Sequence, residues 1–321
     1  MKRKVIITGA NGFLGKYLSQ WFLDRDWEVV GLSRNGGAHP GVVDLRWDGR
    51  TSGDWAESFE GATAVVNLAG RSVNCRYGEK KRKLIMDSRV ESTELIGEVI
   101  AACDAPPKVW LNSSTATIYR HAEDGPQDEV EGEIGTGFSV GVAKAWEKAF
   151  FQSQVPGEVR KVAMRSAMVI ANEPGTVYDY LFKLAQFGFG GAMAGGNQRV
   201  SWIHVEDFCR VTEWMIENAE AEGIYNVVAP EAETNAEVMR LFRKIARRGF
   251  GLPSVKWMME IGAFILRTET EMVTKSRWVV PARLEAEGFQ FRWPKLNNAL
   301  DDLKRRFRFS ALGKGDEKFR E

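Results

Sequence analysis

The sequence predicts an α/β fold in which short parallel strands alternate with helices and the first turn binds a nucleotide. Three observations predict it. An apolar, β-branched run, Lys4-Val5-Ile6-Ile7-Thr8, leads directly into glycines at positions 9, 12 and 15, followed by apolar residues at helical spacing, Leu14, Leu18, Trp21 and Phe22. Further apolar runs recur between helical stretches as far as Val228, the rhythm of strand and crossover helix. With 321 residues, 44% of them hydrophobic, the chain can fill one large core and a smaller companion.

Composition narrows the function. The 44 Lys and Arg residues nearly cancel the 43 Asp and Glu, a formal charge of +1, so nothing points to nucleic acid or an anionic membrane as partner. Cys75, Cys103 and Cys209 are odd in number, far apart and without metal-ligand spacing. They read as reduced thiols, with neither a disulfide framework nor a metal site expected. A strand begins almost at residue 1 and no apolar run approaches the roughly 20 residues of a membrane span, so a cytoplasmic protein is expected.

Taken in order, each glycine of the first turn has a task. Gly9 turns the chain off the strand, Gly12 lets backbone approach a pyrophosphate, and Gly15 lets the helix sit close on the sheet. Asn11, Phe13 and Leu14 share that turn, and free amides at the helix start favour an anion. A tight turn without ligand explains one glycine and not three. Trp27 to Leu32 is a second strand ending at Ser33-Arg34, where the adenosine ribose is expected. A carboxylate there would suit NAD; arginine suits a 2′-phosphate, so Arg34 favours NADP, a solvated surface arginine being the other reading.

Val42 to Trp47 and Thr63 to Leu68 are the third and fourth strands, the latter closing on Asn67-Leu68-Ala69-Gly70, small enough for a ribose to lie on backbone. Glu79 to Cys103 is a long helix whose opening run Lys80-Lys81-Arg82-Lys83 reads as a solvated face. Pro106-Pro107 closes it, and Val109 to Asn112 is a fifth strand running into Ser113-Ser114-Thr115-Ala116-Thr117-Ile118-Tyr119. Hydroxyls past a strand's carboxyl end lie where ligands bind, and are also ordinary turn chemistry; both readings stand.

Phe138 to Gln152 is helical, carrying Lys144, and Val159 to Ile170 is a sixth strand. After the helix Tyr178 to Phe187, the glycine-rich run from Gly188 to Gly196 reads as a flexible lid or a plain connecting loop. His204, bracketed by apolar residues before a helix that runs through Asn218, reads as structural. Gly223 to Val228 is a short strand; Thr234 to Ala246, Trp257 to Leu266 and Lys295 to Phe309 are helical, and a polar tail starts at Gly313.

The glycine triplet, Asn67-Leu68-Ala69-Gly70, the Ser113 to Tyr119 cluster and Trp202-Ile203-His204-Val205-Glu206-Asp207, in this order, resemble an extended short-chain dehydrogenase/reductase. Asp87-Ser88-Arg89, Lys144-Ala145-Trp146-Glu147 and the block from Pro281 to Trp293 with Ala299-Leu300 narrow the resemblance to the NAD-dependent epimerase/dehydratase-like subfamily with its own C-terminal extension. The resemblance implies a Rossmann-like, doubly wound parallel sheet of about seven strands. It assigns residues 1–172 and 200–230 to an NADP-binding domain, 173–199 and 231–312 to a smaller substrate domain, and 313–321 to the tail. It also implies Gly9, Gly12 and Gly15 on pyrophosphate, Ser33 and Arg34 at the adenosine end, and Asn67, Leu68, Ala69, Gly70, Ser113 and Lys144 along the remaining cofactor. A homodimer would follow from analogy.

Thr115 falls at the catalytic Ser or Thr of that family. Lys144 falls at the lysine of its YxxxK pair, but the residue four earlier is Val140, which has no proton to give. Hydride transfer to a carbonyl leaves an alkoxide that must be protonated. Lys144, if desolvated, is the expected donor and Tyr119 the alternative, with Tyr178 and His204 weaker. The implied activity is that of an NADP-dependent oxidoreductase or epimerase-like enzyme acting on a small hydroxyl or carbonyl compound, including sugars and nucleotide-sugars. A non-catalytic NADP(H) sensor is the reading from another class.

Overall fold

The computed structural model describes residues 2–73, 75, 77–253 and 275–305. In chain order its elements are β1 (Lys4–Thr8), α1 (Phe13–Leu23), β2 (Glu28–Ser33), β3 (Val43–Arg46), β4 (Ala64–Asn67), α2 (Glu79–Ala101), β5 (Val109–Thr115), α3 (Phe138–Gln152) and β6 (Arg160–Ser166). There follow β7 (Met168–Ile170), α4 (Val177–Gln186), β8 (Arg199–Val200), β9 (Trp202–His204), α5 (Val205–Glu217), β10 (Gly223–Val227), β11 (Glu233–Thr234), α6 (Asn235–Ile245), α7 (Ala282–Ala286) and α8 (Leu296–Arg305).

Seven strands pair in parallel in the order β10-β6-β5-β4-β1-β2-β3, so the chain works outward from β1 first to one edge and then to the other. This is the doubly wound sheet of seven strands that the resemblance implies. Both faces are covered, which is why β1 and β4 are apolar without alternation. Val5, Ile7, Val66 and Leu111 meet Leu18 and Phe22 of α1 and Phe208, Val211 and Met215 of α5. Ile6, Val65 and Trp110 meet Leu95, Ile96 and Val99 of α2 and Phe150 of α3 on the other side.

A second core gathers α4, α6 and α8, through Tyr178, Val238, Leu241, Phe242, Leu296 and Leu300, around Trp202 and Ile170. The strand expected to run to Ile170 breaks at Ala167, whose N–H goes to Val227, and its remainder pairs with β9 instead. That two-stranded ladder feeds both cores. Residues 281–291 depart from the expected boundary as well. Leu284 and Phe289 pack on β10 in the α1/α5 layer, whereas Trp293 and α8 join the smaller core. The helix expected over 257–266 and the tail from 313 lie outside the described residues.

Candidate functional site

The order of the sheet reverses at β1, and there the carboxyl ends of β1, β4 and β5 leave a crevice between the segments that depart to opposite faces. Gly9 takes φ +68, and a Cβ on it would sit 3.1 Å from the Leu68 carbonyl. A Cβ on Gly15 would lie 2.3 Å from the Gly9 carbonyl oxygen and 2.6 Å from Ala10 Cα, so the helix can approach the turn only with glycine there. Gly12 is the N-cap of α1; no side chain caps the helix and its first turn carries no acid, which leaves its amide end electropositive. Asn11 spends its side chain on the loop after β2, donating to the Gly36 carbonyl at 3.0 Å. At the end of β2 Ser33 is buried with its Oγ unpartnered among the described residues, and Arg34, the first residue of that loop, is exposed.

The floor of the crevice is a buried polar row. Pairing register puts Thr8 opposite Asn67 and Asn67 opposite Asn112. Thr8 Oγ1 donates to Asn67 Oδ1 at 2.7 Å and accepts from the N–H groups of Leu68 and Ala69 at 3.0 and 3.1 Å. Asn67 Nδ2 donates to Asn112 Oδ1 at 2.7 Å and to Thr93 Oγ1 at 3.1 Å, and Trp146 Nε1 also reaches Thr93 at 2.9 Å. Asn67, expected against cofactor, is wholly buried and holds the turn rather than facing the crevice. Thr8, Thr93 and Asn112 went unnoticed in the sequence because strand register, which aligns them, is not visible in a linear pattern.

At the carboxyl end of β5 the side chains alternate. Ser114 points into the α3 layer and donates to Glu147 Oε1 at 2.6 Å, while Ser113 and Thr115 stay half-buried at the crevice end. Thr115 Oγ1 accepts from the Thr117 N–H at 3.1 Å, which leaves its own O–H to give. Arg165 closes a fork on Glu147, Nε to Oε1 at 2.9 Å and Nη2 to Oε2 at 2.8 Å, and its Nη1 donates to Tyr119 Oη at 2.9 Å. Tyr119 donates in turn to Asn226 Oδ1 at 2.9 Å. Burial pushes the Tyr119 phenol up, and the Arg165 charge beside it offsets this only in part. The expectation that Tyr119 donates the proton is therefore corrected: it is wholly buried and tied into structure.

The face of α3 turned to the sheet carries Val140, Ala143 and Glu147, with Val140 and Ala143 packed on the turn Ala116–Ile118. Lys144 is off that stripe and exposed. Tyr178 sits in the smaller core, ring against Phe242. His204 is wholly buried; its Nδ1 accepts from the Glu206 N–H at 3.1 Å as the cap of α5, and Nε2 lies 3.3 Å from Asp302 of α8. Of the two readings of 188–196, flexible lid and connecting loop, the hydrogen bonds favour the second. Met193 N–H donates to Asn235 Oδ1, Ala236 N–H to the Gly196 carbonyl and Gly191 N–H to the Leu252 carbonyl, which makes 188–196 a docked connection.

Among the described residues no three His, Cys, Asp or Glu side chains are grouped to hold a metal ion, and no helix is long and apolar enough to cross a membrane. Cys75 and Cys103 are half-buried and Cys209 is buried, all as free thiols.

Comparison with known proteins agrees with this geometry. Residues 5–228 match the model of the NAD dependent epimerase/dehydratase family, and residues 256–303 match that of a domain of unknown function, DUF1731. The human epimerase family protein SDR39U1 is 30% identical over 306 residues, covering 94% of this chain and 99% of that protein. The epimerase family protein SSP1921 of Staphylococcus saprophyticus is 28% identical over 302 residues, covering 93% and 98%. The crystal structure of human SDR39U1 (isoform 2) with NADPH superposes with a TM-score of 0.83 at 28% identity, covering 95% of this chain and all of that one.

Proposed function

Because the chain belongs to the NAD dependent epimerase/dehydratase family, we propose that it is an NADP-dependent oxidoreductase or epimerase-like enzyme acting on a small hydroxyl or carbonyl compound, such as a sugar or nucleotide-sugar. The observation that carries the reading is the crevice at the reversal of the sheet, whose walls fit a dinucleotide. Glycine backbone at 9 and 15 leaves no room for side chains, the α1 amide end is open to an anion, and a buried Ser33 hydroxyl, unpartnered among the described residues, lies beside Arg34 where the adenosine ribose would end. The relative solved with NADPH supports the same assignment.

When bound, NADP(H) supplies or accepts a hydride. The chain's residues do the rest. The amides of Phe13 and Leu14 at the start of α1 would receive the diphosphate, Gly12, whose N–H goes to the Gly9 carbonyl at 2.9 Å, would let backbone approach it, and Arg34 would meet the 2′-phosphate. Leu68, Ala69 and Gly70, fixed from below by Thr8 and Asn67, present backbone to the second ribose, with Ser113 across the crevice. Thr115, its lone pair already occupied by Thr117, donates its O–H to the reacting oxygen and orients it. Lys144, one turn from Val140 and open to water, relays the proton at the rim.

A second reading rests on Val140 and Ala143. The two α3 side chains packed on the turn after Thr115 carry no proton, as in an NADP(H)-binding sensor that does not turn over. One experiment separates the two. NADPH binding is measured first, then cofactor oxidation across a broad carbonyl panel. The enzyme reading expects turnover that falls roughly 100-fold or more in Thr115→Ala with NADPH affinity retained, and a fall of that size in Lys144→Ala measured at saturating NADPH. Tight NADPH binding without turnover on any carbonyl selects the sensor, and absence of NADPH binding refutes both.

A further inference from the structure

Two helices of the smaller core end side by side. The turns that follow α4 and α6 lie against each other: Leu252 N–H donates to the Gly188 carbonyl at 2.8 Å and Gly191 N–H to the Leu252 carbonyl at 3.1 Å, and a Cβ on Gly251 would stand 2.6 Å from the Gly190 carbonyl carbon. Arginines of the second turn fasten the first. Arg243 Nη1 donates to the Gly190 carbonyl, and Arg248 Nε to the Gln186 carbonyl at 3.1 Å. On this fastened pair of turns the apolar side chains face water. Phe187 and Phe250 are 72% and 68% exposed, and Phe189 and Leu252 beside them 44% and 47%. Single exposed apolar residues are ordinary, whereas four on two hydrogen-bonded turns form a patch.

The surroundings of the patch carry one sign of charge. Neither the run from Tyr180 to Val205 nor that from Val238 to Pro253 contains an Asp or Glu, and the second holds Arg240, Arg243, Lys244, Arg247 and Arg248. Lys183 pairs with Asp179, Arg240 with Glu237, and Lys244 lies 4.0 Å from Asp301. Arg243, Arg247 and Arg248 pair with no carboxylate among the described residues. The formal charge of +1 conceals this asymmetry because it sums over the whole chain. Cations at the carbonyl ends of two helices complement the helix dipoles, which accounts for the arginines and not for three phenyl rings in water. Val130 is also exposed, but it stands by itself in sequence among Asp128, Glu129, Glu131 and Glu133.

We propose that this end of the molecule seats on an anionic phospholipid surface. Phe187, Phe189, Phe250 and Leu252 enter the boundary between headgroups and acyl chains, and Arg247 and Arg248 stay at the headgroup phosphates. The charge selects an acidic partner, and the phenyl and isobutyl groups select one that also offers hydrocarbon; a nucleic acid offers phosphates but no hydrocarbon for Leu252. The contact lies on the membrane, as no described helix is long and apolar enough to cross one. The proposal draws on neither the crevice nor its cofactor.

The test is co-sedimentation of the full chain with vesicles of pure phosphatidylcholine, or with about a third of it replaced by phosphatidylglycerol. Wild-type protein is expected to favour the anionic vesicles by roughly tenfold or more and to lose that preference in high salt. Phe187→Ser with Phe250→Ser should weaken uptake roughly tenfold or more, because two phenyl groups no longer reach hydrocarbon. Arg247→Gln with Arg248→Gln should cut the preference for anionic vesicles by a similar factor. Val130→Ser, and Lys80→Gln with Lys81→Gln, remove an exposed apolar group and two exposed charges elsewhere and should leave uptake unchanged. Failure of wild-type protein to sediment with anionic vesicles overturns the proposal, as does uptake that survives in both patch variants or depends on only one of the two pairs. Self-association or RNA binding without vesicle uptake, lost in the same variants, gives the face to another occupant and overturns it too. Thermal melting checks folding, and where a double variant does not fold, Phe250→Ser or Arg247→Gln alone decides.

Discussion

At the scale of single residues, cofactor choice in the proposed function turns on one side chain just past β2. Arg34 is exposed and so costs little to keep, and the proposal gives it a phosphate to bind rather than a part in the fold. Arg34→Ala is expected to weaken NADPH by about tenfold or more while NADH affinity stays within about twofold, as read by nicotinamide fluorescence, because a charge-assisted fork is worth ~1.5–3 kcal/mol. Equal losses for both cofactors would remove the 2′-phosphate from the account. The residues that touch ligand in this reading were legible because backbone demands glycine at the first turn and hydroxyls cluster after β5. What stayed illegible was orientation. Lys144 and Tyr119 both carry the right chemistry, yet helical phase leaves one in water and the Arg165–Asn226 bracket seals the other inside.

At the scale of elements, β5, β6 and α3 are locked by the buried Glu147–Arg165 pair, whose side chains are 9% and 7% exposed. Burial works against the Arg165 charge, and the bidentate bonds to Glu147 outweigh it and hold the guanidinium firmly protonated. Removing one partner strands the other, so Arg165→Met should cost about 3–5 kcal/mol in chemical denaturation. Replacing both, Arg165→Met with Glu147→Leu, should recover most of that loss, and a double variant no more stable than the single would deny the pairing its role. Strand and helix positions were largely readable from periodicity, and Phe138–Gln152 falls where expected. The break at Ala167 was not, because the apolar run continues through it and only the competing partner β9 reveals it.

At the scale of the whole molecule, the two cores meet at β7 and β9, and Trp202 stands at the seam, wholly buried in the smaller core with its Nε1 donating to the Glu231 carbonyl at 2.9 Å. Trp202→Ala is expected to cost about 3–5 kcal/mol and to lower the melting temperature. If the seam transmits stability, near- and far-ultraviolet dichroism should still melt together; separated transitions would mean that the cores fold independently. The class of the large core followed from its strand-helix rhythm, whereas the return of residues 281–291 to β10 did not, since nothing local in Leu284 or Phe289 names a distant layer. The chain passes between the two bodies repeatedly, at Ile170, at Trp202, after Val227 and again between Phe291 and Leu296. A body sewn on along so many threads has no single axle to swing about. Closure around a ligand would then come from small shifts of packed helices rather than from rotation about a hinge.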